Sequence, residues 1–81
     1  MNILDLKKGE SFVVSRVALR GQIGRRLSDM GFVQGARGTL IRKALLGDPI
    51  QVKICHYDVS LRRLEAGGIE VEPASSSPGK D

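Results

Sequence analysis

Turn-forming residues interrupt this chain so often that no regular element can run long. Breaks fall at Lys7-Lys8-Gly9, at Val33-Gln34-Gly35, at Leu45-Leu46-Gly47-Asp48-Pro49, at Gly67-Gly68 and at Pro73. Glycine supplies unusual φ, aspartate supplies local hydrogen bonds, and proline stops strand pairing. The segments between the breaks are short, and several are β-branched. Ile50, Val52 and Ile54 alternate with Gln51, Lys53 and Cys55, the pattern of a half-buried strand. Ser11 to Val17 reads as a strand with apolar residues on both faces, so its inward face stays open. Thr39 to Lys43, a short stretch around Asp58-Val59, and Ile69 to Glu72 supply three more, and Pro73 ends the last. A tight connection near Cys55-His56-Tyr57 joins the third strand to the fourth.

The period changes between Gly21 and Met30. Ile23, Leu27 and Met30 fall at i, i+4 and i+7 and predict one helix of about ten residues. Gly31 stands where a left-handed residue ends a helix, and Phe32 is the apolar residue that folds back. Gly24 inside that helix costs about 1 kcal/mol relative to alanine, which tertiary packing must offset. Ser60 is positioned to cap a single turn from Leu61 to Ala66, with Leu61 and Leu64 inward and Arg62 and Arg63 outward. Ile3, Leu4 and Leu6 anchor a short lead-in. The expected fold is mainly β: a small barrel of about five strands, one α-helix between the first two and one short helical turn before the last. Closure of that kind removes exposed strand edges. Residues 1–73 form the domain, and the Ser/Pro/Gly-rich stretch 74–81 is expected to be a disordered tail.

With 81 residues the chain has room for one domain, too small for a deep enclosed active site. No apolar run reaches the roughly 18–20 residues of a membrane span, and the first residues lack the pattern of a signal peptide. The single Cys55 excludes an intrachain disulfide, and the cytoplasm is the expected compartment. One His and one Cys without an orienting third group argue against nucleophilic catalysis, and no glycine-rich phosphate loop opens the helix. No enzyme activity and no cofactor are expected.

Four pieces in order resemble the FeoA (ferrous iron transport protein A) family over roughly residues 3–72. They are Leu4-x-Leu6-Lys7-x-Gly9, then Arg26-Leu27-x-x-Met30-Gly31-Phe32-x-x-Gly35, then Gly47-Asp48-Pro49-Ile50, then Leu61-Arg62-Arg63-x-x-Ala66-x-x-Ile69-x-Val71. Val33-Gln34 stands where the family often places a proline, and the Ser-rich end is an extension. The resemblance implies an SH3-like barrel in the bacterial cytoplasm that works with FeoB, a large Fe(II) permease with a cytosolic GTP-binding domain. Transition-metal binding is implied at family level only. A related domain occurs at the C-terminal part of some iron- and manganese-dependent repressors. The expected role is docking on the permease and modulating it, which would bring the chain to the inner membrane through its partner, with weak self-association as a further option.

The candidate contact residues are Arg20, Arg25, Arg26, Leu45, Leu46, Asp48, Arg62 and Arg63. Arginine's planar fork suits carboxylate recognition, although solvated surface charge is the bland reading for each. Leu27, Met30 and Phe32 read as core, and Gly31 and Gly35 as backbone devices. Leu45 and Leu46 either fold down as a cap on the core or meet a partner. Cys55, His56 and Asp58 are weak metal candidates, because neighbours on a strand point to opposite faces and one Cys with one His cannot close a four-ligand site of those types. Net charge is +4, which also admits nucleic acid. Against that reading stand only three aromatic residues, Phe12, Phe32 and Tyr57.

Overall fold

The computed structural model describes residues 1–74, so the expected tail 74–81, apart from Ala74, lies outside the described residues; the Ala74 N–H donates to the Ser11 carbonyl at 2.9 Å. A 3-10 turn at Ile3–Asp5 leads into β1 (Ser11–Val17), α1 (Gly21–Asp29), β2 (Arg37–Lys43), β3 (Ile50–Ile54), β4 (Tyr57–Leu61), α2 (Arg63–Gly67) and β5 (Ile69–Pro73). The five strands form one antiparallel sheet in the order β4-β3-β2-β1-β5. Register shifts between Val14 and Arg16 on β1 and between Leu40 and Arg42 on β2 break the regular pairing. Such irregularities bend a strand and increase its twist.

The alternation in the strands becomes burial. Ile50, Val52 and Ile54 are fully buried, as are Leu40, Leu61 and Ile69. The ambiguity of β1 resolves with Phe12 and Val14 inward and Val13 half-buried. Each such large apolar side chain contributes roughly 2 kcal/mol relative to exposure. No buried side-chain polar atom lacks a partner among the described residues.

The first helix ends as the sequence predicts. Gly31 has φ of 111°, the Gly31 N–H donates to the Ser28 carbonyl and the Phe32 N–H to the Leu27 carbonyl, each at 3.0 Å. That pair of bonds is the Schellman arrangement, and it drives Phe32 into the core. Two details of the helix differ from expectation. Ile23 is 40% exposed, because the side facing the barrel runs through Gly24 and Leu27. Gly24 is required rather than merely tolerated: a Cβ there would lie 2.3 Å from the Leu19 carbonyl oxygen.

The second helix starts later than the sequence suggests. Leu61 is the last residue of β4, paired with Ile50, so α2 begins at Arg63 and Arg62 takes the cap position in place of Ser60. The shift rotates the turn. Leu64 points outward and is 69% exposed, while Glu65 and Ala66 are buried. The Glu65 carboxylate accepts the Arg62 N–H and Arg26 Nη2, both at 2.9 Å, and thereby ties α2 to α1.

The sheet's two edges are treated differently. The β5 edge is partly covered by the first residues: the Val71 N–H donates to the Met1 carbonyl at 2.9 Å, and Asn2 bridges Glu70. The β4 strand has no further strand beside it among the described residues. Its two-residue connection to β3 holds Cys55 and His56 at φ of 51° and 72°, where glycine or asparagine is the usual choice.

Candidate docking surface

Three elements meet on one side of the barrel: the 3-10 turn, the segment between β1 and α1, and α2. Leu4, Leu19 and Leu64 form the apolar walls of a shallow groove there, with Gly67-Gly68 between them and Arg63 at its margin. The glycine pair makes this packing possible. A Cβ at Gly68 would meet Leu19 Cγ at 2.4 Å, and one at Gly67 would meet Leu4 Cδ1 at 3.2 Å. None of Leu4, Leu19 or Leu64 was among the expected contact residues. The sequence period places Leu64 inward, and the groove depends on residues far apart in sequence.

Arg63 joins the groove to the loop between β2 and β3. Its backbone N–H donates to Asp48 Oδ1 at 3.2 Å, and its guanidinium lies beside Gly47. Asp48 is therefore occupied at the start of α2. The loop turns at Ala44–Gly47, closed by a bond from the Gly47 N–H to the Ala44 carbonyl at 2.8 Å. Leu45 and Leu46 occupy the tip of that turn and are 99% and 89% exposed. Of the two readings the sequence left open, folding down onto the core is excluded.

The expected arginines separate into two kinds. Arg26 is held by buried Glu65, so its guanidinium already works inside the fold. Arg20, Arg25, Arg62 and Arg63 are exposed and take part in no salt bridge among the described residues. Arg20 directly follows Leu19 before α1, and Arg62 and Arg63 open α2. The other two ion pairs lie elsewhere, Arg16–Glu70 between β1 and β5 and Lys53–Asp58 between β3 and β4.

The metal candidates lie at the far end of β3. Cys55 and His56 are not on a strand but form the turn itself, so the opposite-face objection does not hold for them. Even so, Asp58 is paired with Lys53 at 3.2 Å, and Cys55 Sγ faces the Gly31 carbonyl at 4.0 Å. No three His, Cys, Asp or Glu side chains gather into a metal-holding group among the described residues. For nucleic acid, Phe12 and Phe32 are buried and unavailable for base stacking, which leaves Tyr57 as the exposed aromatic side chain.

A family profile for the FeoA domain matches residues 1–73. The chain belongs to the FeoA family. The FeoA relatives agree in sequence and shape. The chain is 43% identical over 77 residues to a protein of Porphyromonas gingivalis described as an Fe(2+) transport protein A/Fe(2+) transporter FeoB fusion. That match covers 95% of this chain and 9% of the fusion protein, so the relative is far longer. The solution structure of FeoA from Chlorobium tepidum superposes with a TM-score of 0.88 at 39% identity, covering 99% of this chain and 76% of that one. The zinc complex of Stenotrophomonas maltophilia FeoA, described as a prokaryotic SH3 domain protein, superposes with a TM-score of 0.78 at 32% identity and covers 89% of each chain. The mainly β FeoA fold with an SH3-like architecture is thus the fold of this chain. No helix among its described residues is long and apolar enough to cross a membrane.

Proposed function

We propose that this FeoA domain docks on the cytosolic part of a FeoB-type Fe(II) permease and modulates it by protein contact, without chemistry of its own. The observation that carries the reading is the P. gingivalis relative, in which a domain 43% identical to this one shares a polypeptide with FeoB. Covalent linkage in one protein is a common counterpart of association between separate chains, because a linker raises effective concentration without adding a contact.

The groove between Leu4, Leu19 and Leu64, flanked by Arg20, Arg62 and Arg63, is the contact surface, and Arg25 extends it along α1. One exposed and two half-buried leucines beside cations that lack carboxylates suit a partner segment that brings both an apolar side chain and acidic residues. Titration of the isotopically labelled chain with the permease's cytosolic region tests this directly. Shifts should concentrate at Leu19, Arg20, Arg63, Leu64 and Gly67. Absence of any association, together with normal Fe(II) uptake in a deletion strain, would reject the reading.

A further inference from the structure

Leu45 and Leu46 stand on the convex tip of a loop, the one place among the described residues where two large apolar side chains are adjacent and almost wholly in water. Their exposure is fixed by the turn. The Gly47-to-Ala44 bond closes it, the Ala44 N–H donates to the Pro49 carbonyl at 3.0 Å, and Asp48 is held by the start of α2. Neither leucine contributes to the core, so burial at this tip must come from something other than the described residues.

The surroundings of the tip say what that is. Lys7, Lys8, Arg42 and Lys43 line one shallow depression with Leu6, at the end of β2 from which the loop departs. Arg62 and Arg63 flank the loop on its other side, where β4 ends and α2 begins. None of these six cations is in a salt bridge among the described residues. Lys43 donates to the Leu4 carbonyl and Arg42 to the Gln51 side chain, both neutral acceptors. Of the carboxylates of this region, Glu65 is paired with Arg26, while Asp5, Glu10 and Asp48 accept the Asn2, Lys7 and Arg63 N–H groups and keep their negative charge, so the cations outnumber them six to three.

We infer that the Leu45–Leu46 tip inserts into the interface of an anionic lipid bilayer, with Lys7, Lys8, Arg42, Lys43, Arg62 and Arg63 seated on its headgroups. A convex apolar tip within a field of cations matches a surface that is apolar a few ångströms down and negative on top. A second copy of the chain fits poorly, because a symmetric contact at the tip would bring six cations against six. The inference does not rest on the permease reading. It places direct lipid contact beside protein contact, with Arg62 and Arg63 at the boundary the two surfaces share.

The test uses the full chain and vesicles of phosphatidylcholine with or without about 30% phosphatidylglycerol, a typical anionic fraction for such assays. Co-sedimentation is expected with the anionic vesicles and not with the neutral ones, falling steeply as salt is raised. The double variant Leu45→Ser/Leu46→Ser should lose about tenfold or more in partitioning, since two leucines no longer leave water. Its amide spectrum should otherwise match the parent. Lys7→Gln/Lys8→Gln should weaken binding by roughly ten- to thirtyfold, about the loss expected for two surface cations. A nitroxide placed on the acyl chains should broaden the Leu45 and Leu46 methyl signals and leave Tyr57 sharp.

Three results would overturn the inference. The first is no binding to anionic vesicles at low salt. The second is equal binding by the double serine variant, or sharp leucine methyls in the bound state, either of which would reduce the effect to charge alone. The third is a double serine variant that binds vesicles normally but fails on the permease's cytosolic region, which would give the tip to the protein partner. Vesicle binding that persists when the permease shows no association would leave the lipid contact standing and remove only the docking reading.

Discussion

Glu70 keeps its charge to lower pH than an ordinary glutamate. The Arg16 guanidinium donates Nε and Nη2 to its two oxygens, each at 3.2 Å, and this hydrogen bonding holds the carboxyl below its usual value of 4.5, with the positive charges of Arg16 and the amino terminus adding to it and desolvation opposing. The same pairing raises the Arg16 pKa. A depressed carboxyl pKa contributes stability that is present above the unfolded value and is lost as pH falls from there through the folded one. Carboxyl NMR titration should therefore place Glu70 below the ordinary glutamate value, and Arg16→Gln should return it upward. An unchanged midpoint in Arg16→Gln would mean the pair does not persist in solution. Gly24 offers a second test at this scale. Helix propensity alone predicts that Gly24→Ala stabilises the chain by about 1 kcal/mol. The Leu19 carbonyl, 2.3 Å from the new Cβ, predicts the reverse, a loss of roughly 2 kcal/mol in urea unfolding.

Among the elements, α2 depends most on a distant residue. Glu65 is buried, caps its own helix through the Arg62 N–H, and receives Arg26 from α1. Glu65→Ala should cost about 2 kcal/mol, the scale of two charge-assisted hydrogen bonds. Arg26→Ala should cost less, about 1 kcal/mol, because Arg26 is largely exposed and solvent screens its charge. Thermal or urea unfolding of both variants checks the order. This element also marks where the sequence could not be read. The ends of β1, the start of β3 and the glycine stop of α1 follow from local chemistry: β-branched runs, strict alternation, and a left-handed cap. The position of α2 does not. Leu61 and Leu64 are three apart and read as one helical face, yet pairing of Leu61 with Ile50 claims it for β4 and turns Leu64 outward. A contact across eleven residues overrides a local period. The same shift hid the groove, since Leu4, Leu19 and Leu64 come together only in the folded chain. The loop leucines and the unpaired arginines were legible as candidates, because exposure at a turn and excess positive charge are written locally.

For the whole molecule, the free edge of the sheet has a phase that can be measured. The two-residue turn makes Ile54 and Tyr57 a hydrogen-bonded pair, so Tyr57, Val59 and Leu61 direct their backbone groups toward β3. Asp58 and Ser60 direct theirs off the edge. Hydrogen exchange should protect the first three amides and leave those of Asp58 and Ser60 fast. Protection at Asp58 or Ser60 would reveal an added strand. The opposite edge should look different, because the Val71 amide is held by the Met1 carbonyl.

The β3–β4 hairpin is closed by two residues with side chains in a backbone region that glycine and asparagine enter more easily. That leaves unused thermostability at a site remote from the loop leucines, because the turn and the loop lie at opposite ends of β3. Cys55→Asn/His56→Gly should gain about 1 kcal/mol, or roughly 5 °C in Tm for a domain of this size. Removal of the lone thiol would come with it, so a hardier version of this domain, proof against thiol oxidation, requires changes at only these two positions.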